Sequence, residues 1–420
     1  MQKISVVGLG KLGLPMMAAM AARGFTAIGA DKDTKRIVAI ETGDLLLTEP
    51  RLSDCLEAGR GKWSLTSDTG RAAQQSDITF VIVPTPSNPD GWFSNDHILE
   101  ACAEIGAALA DKDDYHIVVI TSTVMPGSMD GVIRQTLEGA SGLTAGKDFG
   151  LCYSPEFIAL GAVIEDFLNP DFVLIGESDG LAGAELSDLY RALCENDPPI
   201  VRINLVNAEL AKLALNAYVC TKITYANYLA QLCGRLPGGD VRAVTRTIGL
   251  DSRIGLKCLR GGLPYGGPCF PRDTVALSAL SESLGVACNL PVTVSAMNRN
   301  ASQELFDLVS SLGSPGSIVA VLGIAYKMGT HITEESAALK LVELLELCER
   351  TVIMHDPYIP ETDGAQNCVD VASIVVLALP YEEFGRLEFR PGQIIVDCWQ
   401  LFEEAPPGTK YIALGRWRDR

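Results

Sequence analysis

The chain has 420 residues, of which 47% are hydrophobic, 20% charged and 6% aromatic. That excludes a disordered chain and a small disulfide scaffold, and the length suits two or three domains of about 150 residues each. The formal charge of −18, from 34 basic and 52 acidic residues, sets the surface against nucleic acid and anionic membranes while leaving room for a local cationic pocket. No apolar run reaches the roughly 18 residues that span a bilayer.

The N-terminus, MQKISVVGLG, reads as a first strand over Ile4–Val7 rather than a signal peptide. It leads into Gly8-Leu9-Gly10-Lys11-Leu12-Gly13 and an Ala/Met-rich helix over Leu14–Arg23. In such a turn the first glycine makes the bend, the second admits a pyrophosphate and the third lets helix and strand pack closely. The phosphates would lie at a helix N-terminus, where free N–H groups favour negative charge. A strand over Thr26–Ala30 ends at Asp31, placed to bind a ribose 2′-hydroxyl and to repel a 2′-phosphate. NAD is therefore preferred over NADP, although Lys32 follows directly.

Further strands are predicted over Ile78–Val83, Ile117–Thr121, Phe149–Cys152 and Phe172–Ile175. Strands alternating with helices imply a parallel sheet covered on both faces. After the strand at Ile117, Thr123 either reaches cofactor or substrate or caps the next helix. After the strand at Phe149, Tyr153-Ser154-Pro155-Glu156 puts a carboxylate at the crevice of a doubly wound sheet, unless Ser154 and Glu156 are a helix N-cap pair.

Asn204–Leu236 reads as one long helix, suited to a spine between domains or to a dimer contact. On it Lys212 and Asn216 are i and i+4. They either point into a cavity and stabilise an oxyanion or form a solvent-facing edge. Gly261–Asp273 is predicted as a loop. Within it, Gly266-Gly267-Pro268-Cys269-Phe270-Pro271-Arg272-Asp273 surrounds a cysteine that is either a thiolate activated beside Arg272 or a buried structural residue. Asp273 could orient a water or take a proton. Strands are then predicted over Ser317–Leu322, Thr351–His355, Ile374–Leu379 and Ile394–Asp397. There is no fixed-period repeat.

The twelve cysteines include no CxxC pair and only four histidines accompany them, so no metal site is predicted. Most cysteines are expected to be reduced and buried, as in a cytoplasmic protein.

These pieces together resemble the UDP-glucose/GDP-mannose dehydrogenases, NAD-dependent nucleotide-sugar 6-dehydrogenases. The matching motifs are GLGKLGLP, VPTP, STVMPG, SPEF, NPDFVLIG, AELAKLALNAY, GGPCFPRD, GIAYK and HDPY. The resemblance implies an α/β fold with two Rossmann-like doubly wound domains joined by a long central helix. It suggests an NAD domain over 1–200, a central dimerisation domain with the cysteine loop over 201–300, and a nucleotide-sugar domain over 301–420. It also implies a homodimer and a four-electron oxidation of the sugar's C6 hydroxyl to a carboxylate with two NAD, through a Cys269 thiohemiacetal and thioester.

By the same resemblance, Lys212 and Asn216 stabilise oxyanions, and Asp273, Glu156 and Thr123 handle the water. Pro84, Thr85 and Arg272 join the glycine loop, Asp31 and Lys32 at the cofactor. Phe157, Tyr265, Gly266, Gly267, Tyr326 and Lys327 join Glu156, Lys212 and Asn216 at the substrate. UDP-glucose is the first choice of substrate, with GDP-mannose or a UDP-N-acetylhexosamine as alternatives. A β-hydroxyacid dehydrogenase would share the N-terminal motif and the helix lysine but needs neither Cys269 nor a second Rossmann-like domain. An NAD-binding sensor without activity is a third reading.

The chain departs from the family pattern in four places. Leu160 replaces an acid after SPEF, Glu334 stands where an arginine is common, Phe172 replaces another arginine, and Trp399-Gln400 replace a basic pair after the last strand. A glutamate in an arginine's place near a pyrophosphate exchanges attraction for repulsion.

Overall fold

A computed structural model of the chain describes residues 2–45, 49–314 and 316–417. The chain divides into two compact units, Met1–Leu213 and Ala214–Arg420. The 31-residue helix Leu205–Arg235 carries the chain from one to the other, within a residue of its predicted span at each end. The central helical region and the second α/β region thus fall in one unit.

The first unit holds eight strands: β1 (Lys3–Val7), β2 (Thr26–Ala30), β3 (Trp63–Thr66), β4 (Ile78–Val81), β5 (Ile117–Ile120), β6 (Gly150–Tyr153), β7 (Val173–Glu177) and β8 (Ile200–Asn204). Their order is β3-β2-β1-β4-β5-β6-β7-β8. Ile4, Val6, Ile78, Phe80, Ile117 and Val119 enter one apolar core. Val7, Val81, Val118 and Ile120 enter another. The two-residue alternation thus places a core on each face, as expected of a sheet with helices on both sides.

β6 and β7 pair antiparallel, so the sheet is not wholly parallel; alternating strands and helices do not reveal the direction in which a late strand re-enters. β3 and β8 were not predicted. Both are edge strands that are only half-buried or exposed, so they lack the continuous apolar run of an interior strand.

The second unit carries β9 (Val319–Leu322), β10 (Val352–His355), β11 (Ile374–Leu377), β12 (Ile394–Asp397) and β13 (Lys410–Ala413), all parallel, in the order β10-β9-β11-β12-β13. This repeats the order β2-β1-β4-β5-β6 of the first sheet. The likeness extends to a detail. Asp31, after β2, accepts the Leu9 N–H at 2.8 Å, and Asp356, after β10, accepts the Ala325 N–H at 2.9 Å. In each case an acid beyond the second strand fixes the turn after the first. β13 was also missed; it is another sheet edge.

The glycine-rich loop is shorter than predicted. Phe270–Ser283 is a helix, so Phe270, Pro271, Arg272 and Asp273 form its first turn and the loop ends at Cys269. Proline is favoured in a first turn because its missing N–H is not needed there. Among the described residues, no helix is long and apolar enough to cross a membrane.

Candidate active site

In the first unit the glycine turn has the shape a dinucleotide needs. Gly8 has φ +94°, and a Cβ there would meet the Ile82 carbonyl oxygen at 2.3 Å. A Cβ at Gly13 would meet the Gly8 oxygen at 1.8 Å, whereas one at Gly10 would face open space. The helix that follows, Gly13–Ala22, has no side-chain cap at Leu12, which leaves its N-terminus to an anion. These residues fit a pyrophosphate.

Asp31 is buried. Besides Leu9 it accepts the Asp33 N–H at 2.9 Å and pairs with Arg36 at 2.8 Å. Lys32 turns elsewhere, to Glu100 and to Glu104 at 3.1 Å. Pro84 and Thr85 follow β4, and the buried Thr85 hydroxyl donates to the Thr123 carbonyl at 2.9 Å. Thr123 caps no helix; the next helical turn begins beyond Ser128.

Lys212 is buried, so the solvent-edge reading fails for it. Its Nζ donates to the Glu156 carbonyl at 2.6 Å and lies 4.7 Å from the centre of the Phe157 ring. Ser154 and Glu156 cap no helix, because the chain after Tyr153 stays irregular until Val163. Instead Ser154 Oγ bonds Tyr190 Oη at 2.9 Å, and Tyr190 donates to Glu156 Oε1 at 3.3 Å. Glu156 is half-buried as a residue, but its carboxyl is set deep. Burial pushes it up to about 7, against the pull of Lys212 and the Tyr190 hydrogen bond.

Glu209, one helical turn before Lys212, was not singled out in the sequence. It is fully buried, and its two oxygens accept the N–H groups of Gly127 and Met129, each at 2.8 Å. Burial raises it to about 7 although both N–H groups pull it down. Glu209 thereby pins the segment that follows Thr123.

In the second unit Asn216 and Asp273 are both buried. Asn216 Nδ2 donates to Asp273 Oδ2 at 2.6 Å, and Arg272 Nε approaches Asp273 Oδ1 at 3.3 Å. Cys269 is the N-cap residue of the helix Phe270–Ser283 and is exposed, which answers the buried-cysteine reading. Negative charge on its sulfur would lie at a helix N-terminus.

The loop before Cys269 is clasped by two asparagines that sequence reading did not find. Asn227 donates to the Leu263 carbonyl at 3.1 Å and accepts the Gly262 N–H at 2.9 Å. Asn298 bonds both the N–H and the carbonyl of Tyr265, at 2.9 Å each. Gly266 and Gly267 allow close approach to the loop after β9: a Cβ at Gly266 would meet the Glu335 oxygen at 2.0 Å, and one at Gly267 the Tyr326 ring at 2.4 Å. Lys327 Nζ lies 6.0 Å from the centre of the Tyr326 ring. Burial, and then the nearby Cys269, raise the Tyr326 hydroxyl to about 12.

Sequence profiles of one family cover the chain in three segments. They are the NAD binding domain of the UDP-glucose/GDP-mannose dehydrogenase family over residues 2–194, its central domain over 206–300 and its UDP binding domain over 320–404. The chain belongs to the UDP-glucose/GDP-mannose dehydrogenase family.

It is therefore of the nucleotide-sugar 6-dehydrogenase class, with an NAD-binding first domain. It is 32% identical over 400 residues to a UDP-glucose 6-dehydrogenase of Haloferax volcanii, covering 92% of this chain and 93% of that protein. It is 35% identical over 347 residues to the GDP-mannose 6-dehydrogenase of Pseudomonas aeruginosa, covering 82% and 78%. The structure of a UDP-glucose dehydrogenase from the hyperthermophilic archaeon Pyrobaculum islandicum superposes with a TM-score of 0.90 at 29% identity, covering 100% of this chain and 98% of that one. Two of the four departures have structural partners here. Phe172 packs on Phe157, ring centres 4.9 Å apart, and the Trp399 indole lies on Gly262, where a Cβ would meet the ring at 2.6 Å.

Proposed function

We propose that this dehydrogenase oxidises a nucleotide sugar twice at C6, with UDP-glucose as substrate and UDP-glucuronate as product. The observation that carries the reading is the exposed Cys269 at a helix N-terminus whose first turn supplies Asp273, with Asn216 bonded to that carboxylate. Bound NAD, held by Gly8, Gly10, Gly13 and Asp31, supplies the hydride-accepting chemistry.

In this reading Lys212 and Asn216 donate to the alkoxide and tetrahedral oxyanions. Cys269 attacks the C6 aldehyde and holds it as a thiohemiacetal, so it cannot leave. After the second oxidation the resulting thioester is opened by a water that Asp273 orients, with Glu156 and Thr123 as further positioning groups. Glu156, with a carboxyl near 7, can hold or release a proton at neutral pH. Tyr326 and Lys327 meet the phosphates, and Phe157, Tyr265, Gly266 and Gly267 line the sugar. UDP-glucose is supported by the UDP binding domain match and the Haloferax relative; the Pseudomonas relative makes GDP-mannose the second choice.

The protein is proposed to work as a homodimer through its long helix. Tyr218, Tyr225 and Leu232, seven residues apart, are all exposed there, and an apolar stripe of this kind suits a helix partner.

NADH formation at 340 nm with a panel of nucleotide sugars tests the reading. Two NADH per UDP-glucose are expected, and the Cys269→Ser variant should form no acid while still binding NAD. One NADH per sugar, or unchanged acid formation by the serine variant, would remove the covalent step.

A further inference from the structure

Every residue from Ile117 to Met125 is buried except Thr123. The Thr123 hydroxyl makes no hydrogen bond among the described residues, and it stands beyond the carboxyl end of β5, where ligands of a doubly wound sheet bind. The chain around it is held by two side chains that no step above uses. The first is Ser122. Backbone pairing of β5 with β4 runs out at the Val81 carbonyl, which accepts the N–H groups of Thr121 and Ser122 at 3.0 and 3.3 Å. Beyond that point the pairing continues through a hydroxyl. Ser122 Oγ donates to the Val83 carbonyl at 2.7 Å and accepts the Val83 N–H at 2.9 Å. One donor and one acceptor are what a strand residue's backbone offers its neighbour. The strand end that carries Thr123 is thereby tied to the segment that carries Pro84 and Thr85, and the Thr85 hydroxyl holds the Thr123 carbonyl in turn.

The second is Glu209, which holds the chain on the other side of Thr123. Its two oxygens take the N–H groups of Gly127, at φ +95°, and of Met129. Asn95 Nδ2 adds a bond to the Ser128 hydroxyl between them, at 3.2 Å. Glu209 stands three residues before Lys212, whose Nζ donates to the Glu156 carbonyl. The first turns of the long helix therefore grip the Thr123 segment with one side chain and the Glu156 segment with another. Ser122 and Glu209 are both buried and spend their hydrogen-bonding groups on backbone, so any effect they have on a ligand passes through Thr123. Such an effect can be large, because misplacing a reacting or positioning group by about 1 Å can cost about 10²-fold in rate.

We propose that Ser122 and Glu209 are positioning residues of the dehydrogenase, which fix the backbone on the two sides of Thr123 and so set where its hydroxyl stands in the crevice. This role rests on the part given to Thr123 in the proposed reaction, and it does not depend on which sugar is oxidised.

Double-mutant cycles against Thr123→Val in the full-length protein test it. The kcat for the nucleotide sugar and the affinity for NAD, by calorimetric titration, are measured for Thr123→Val, Ser122→Ala, Glu209→Gln and the two double variants. Each single variant should lower kcat about tenfold or more while NAD affinity stays within about threefold of wild type. Each double variant should be slower than Thr123→Val by no more than about twofold, because the second change acts through a hydroxyl that is already gone. Ser122→Thr, which keeps the hydroxyl, should retain most of the activity lost in Ser122→Ala. Far-ultraviolet circular dichroism of each variant establishes that the fold is retained. Losses that multiply in the double variants, as general destabilisation would produce, or wild-type kcat in both Ser122→Ala and Glu209→Gln, would overturn the role. If wild type oxidises no nucleotide sugar, the assigned reaction fails on its own account; the cycles are then read on NAD affinity, where independent losses, or none, would overturn the role as well.

Discussion

Asn216 Nδ2 and Asp273 Oδ2 are joined by a 2.6 Å hydrogen bond with both side chains buried. The bond ties the long helix to the helix that begins at Cys269. A buried carboxylate oriented by an amide is a preorganised group, and its loss is felt more in the reaction than in binding. Asp273→Asn should lower kcat about 10²- to 10⁴-fold, the usual range for a general acid or base, with little change in NAD affinity. Steady-state kinetics and NAD titration check this; a variant with wild-type kcat would remove Asp273 from the mechanism.

Asp31 gathers two backbone N–H groups and Arg36. Asp31→Ala leaves the buried Leu9 N–H without its acceptor, costing about 1–3 kcal/mol. It also removes the charge that disfavours a 2′-phosphate. Thermal denaturation should show the loss of stability, and the ratio of kcat/KM for NAD over NADP should fall at least tenfold.

Glu156 near 7 gives a sign to the pH–rate profile. If its carboxylate helps water, kcat/KM should rise through pH 7. Tyr190→Phe removes the hydrogen bond that pulls this pKa down and so should move the rise to higher pH, while Glu156→Gln should abolish it. Profiles between pH 5 and 9 decide the matter.

Glu209, also near 7 in the folded chain against 4.5 as its ordinary value, affects stability. Between about 4.5 and 7 the folded state holds the proton more tightly than the unfolded chain. The stabilisation from this proton is complete below about 4.5 and is lost as pH rises through 7. Glu209→Gln should flatten that decline. It should also lower stability at pH 5 by about 1–3 kcal/mol, because the amide NH2 cannot accept from Gly127 or Met129, whereas the hydroxyl oxygen of the protonated carboxyl still can. Denaturant melts of both proteins across pH 5–8 give the two slopes.

Gly267 combines φ +84° with a Tyr326 ring that a Cβ would meet at 2.4 Å. Gly267→Ala must therefore displace the ring or the loop. A loss of about 2 kcal/mol or more is expected from strain and overpacking, together with a raised KM for the nucleotide sugar. Denaturant unfolding and kinetics measure both.

The amino-acid sequence by itself determined the interior strands, the long helix and the glycine turn. Those features depend on local periodicity and on backbone conformations that few residues adopt. Cys269, Lys212, Asn216 and Asp273 stand out in the sequence as candidates, because unusual residue types stand in fixed local motifs. Only the tertiary structure decided that Lys212 is buried against Glu156 and Phe157. The same holds for the contacts of Tyr190, Glu209, Asn227 and Asn298. Their partners lie tens of residues away, and nothing local marks a glutamate in an apolar helix as the anchor of a distant loop. The edge strands β3, β8 and β13 and the reversal at β7 went unread for the same reason. Strand direction and edge pairing are set by which backbone groups remain to be satisfied once the interior has packed.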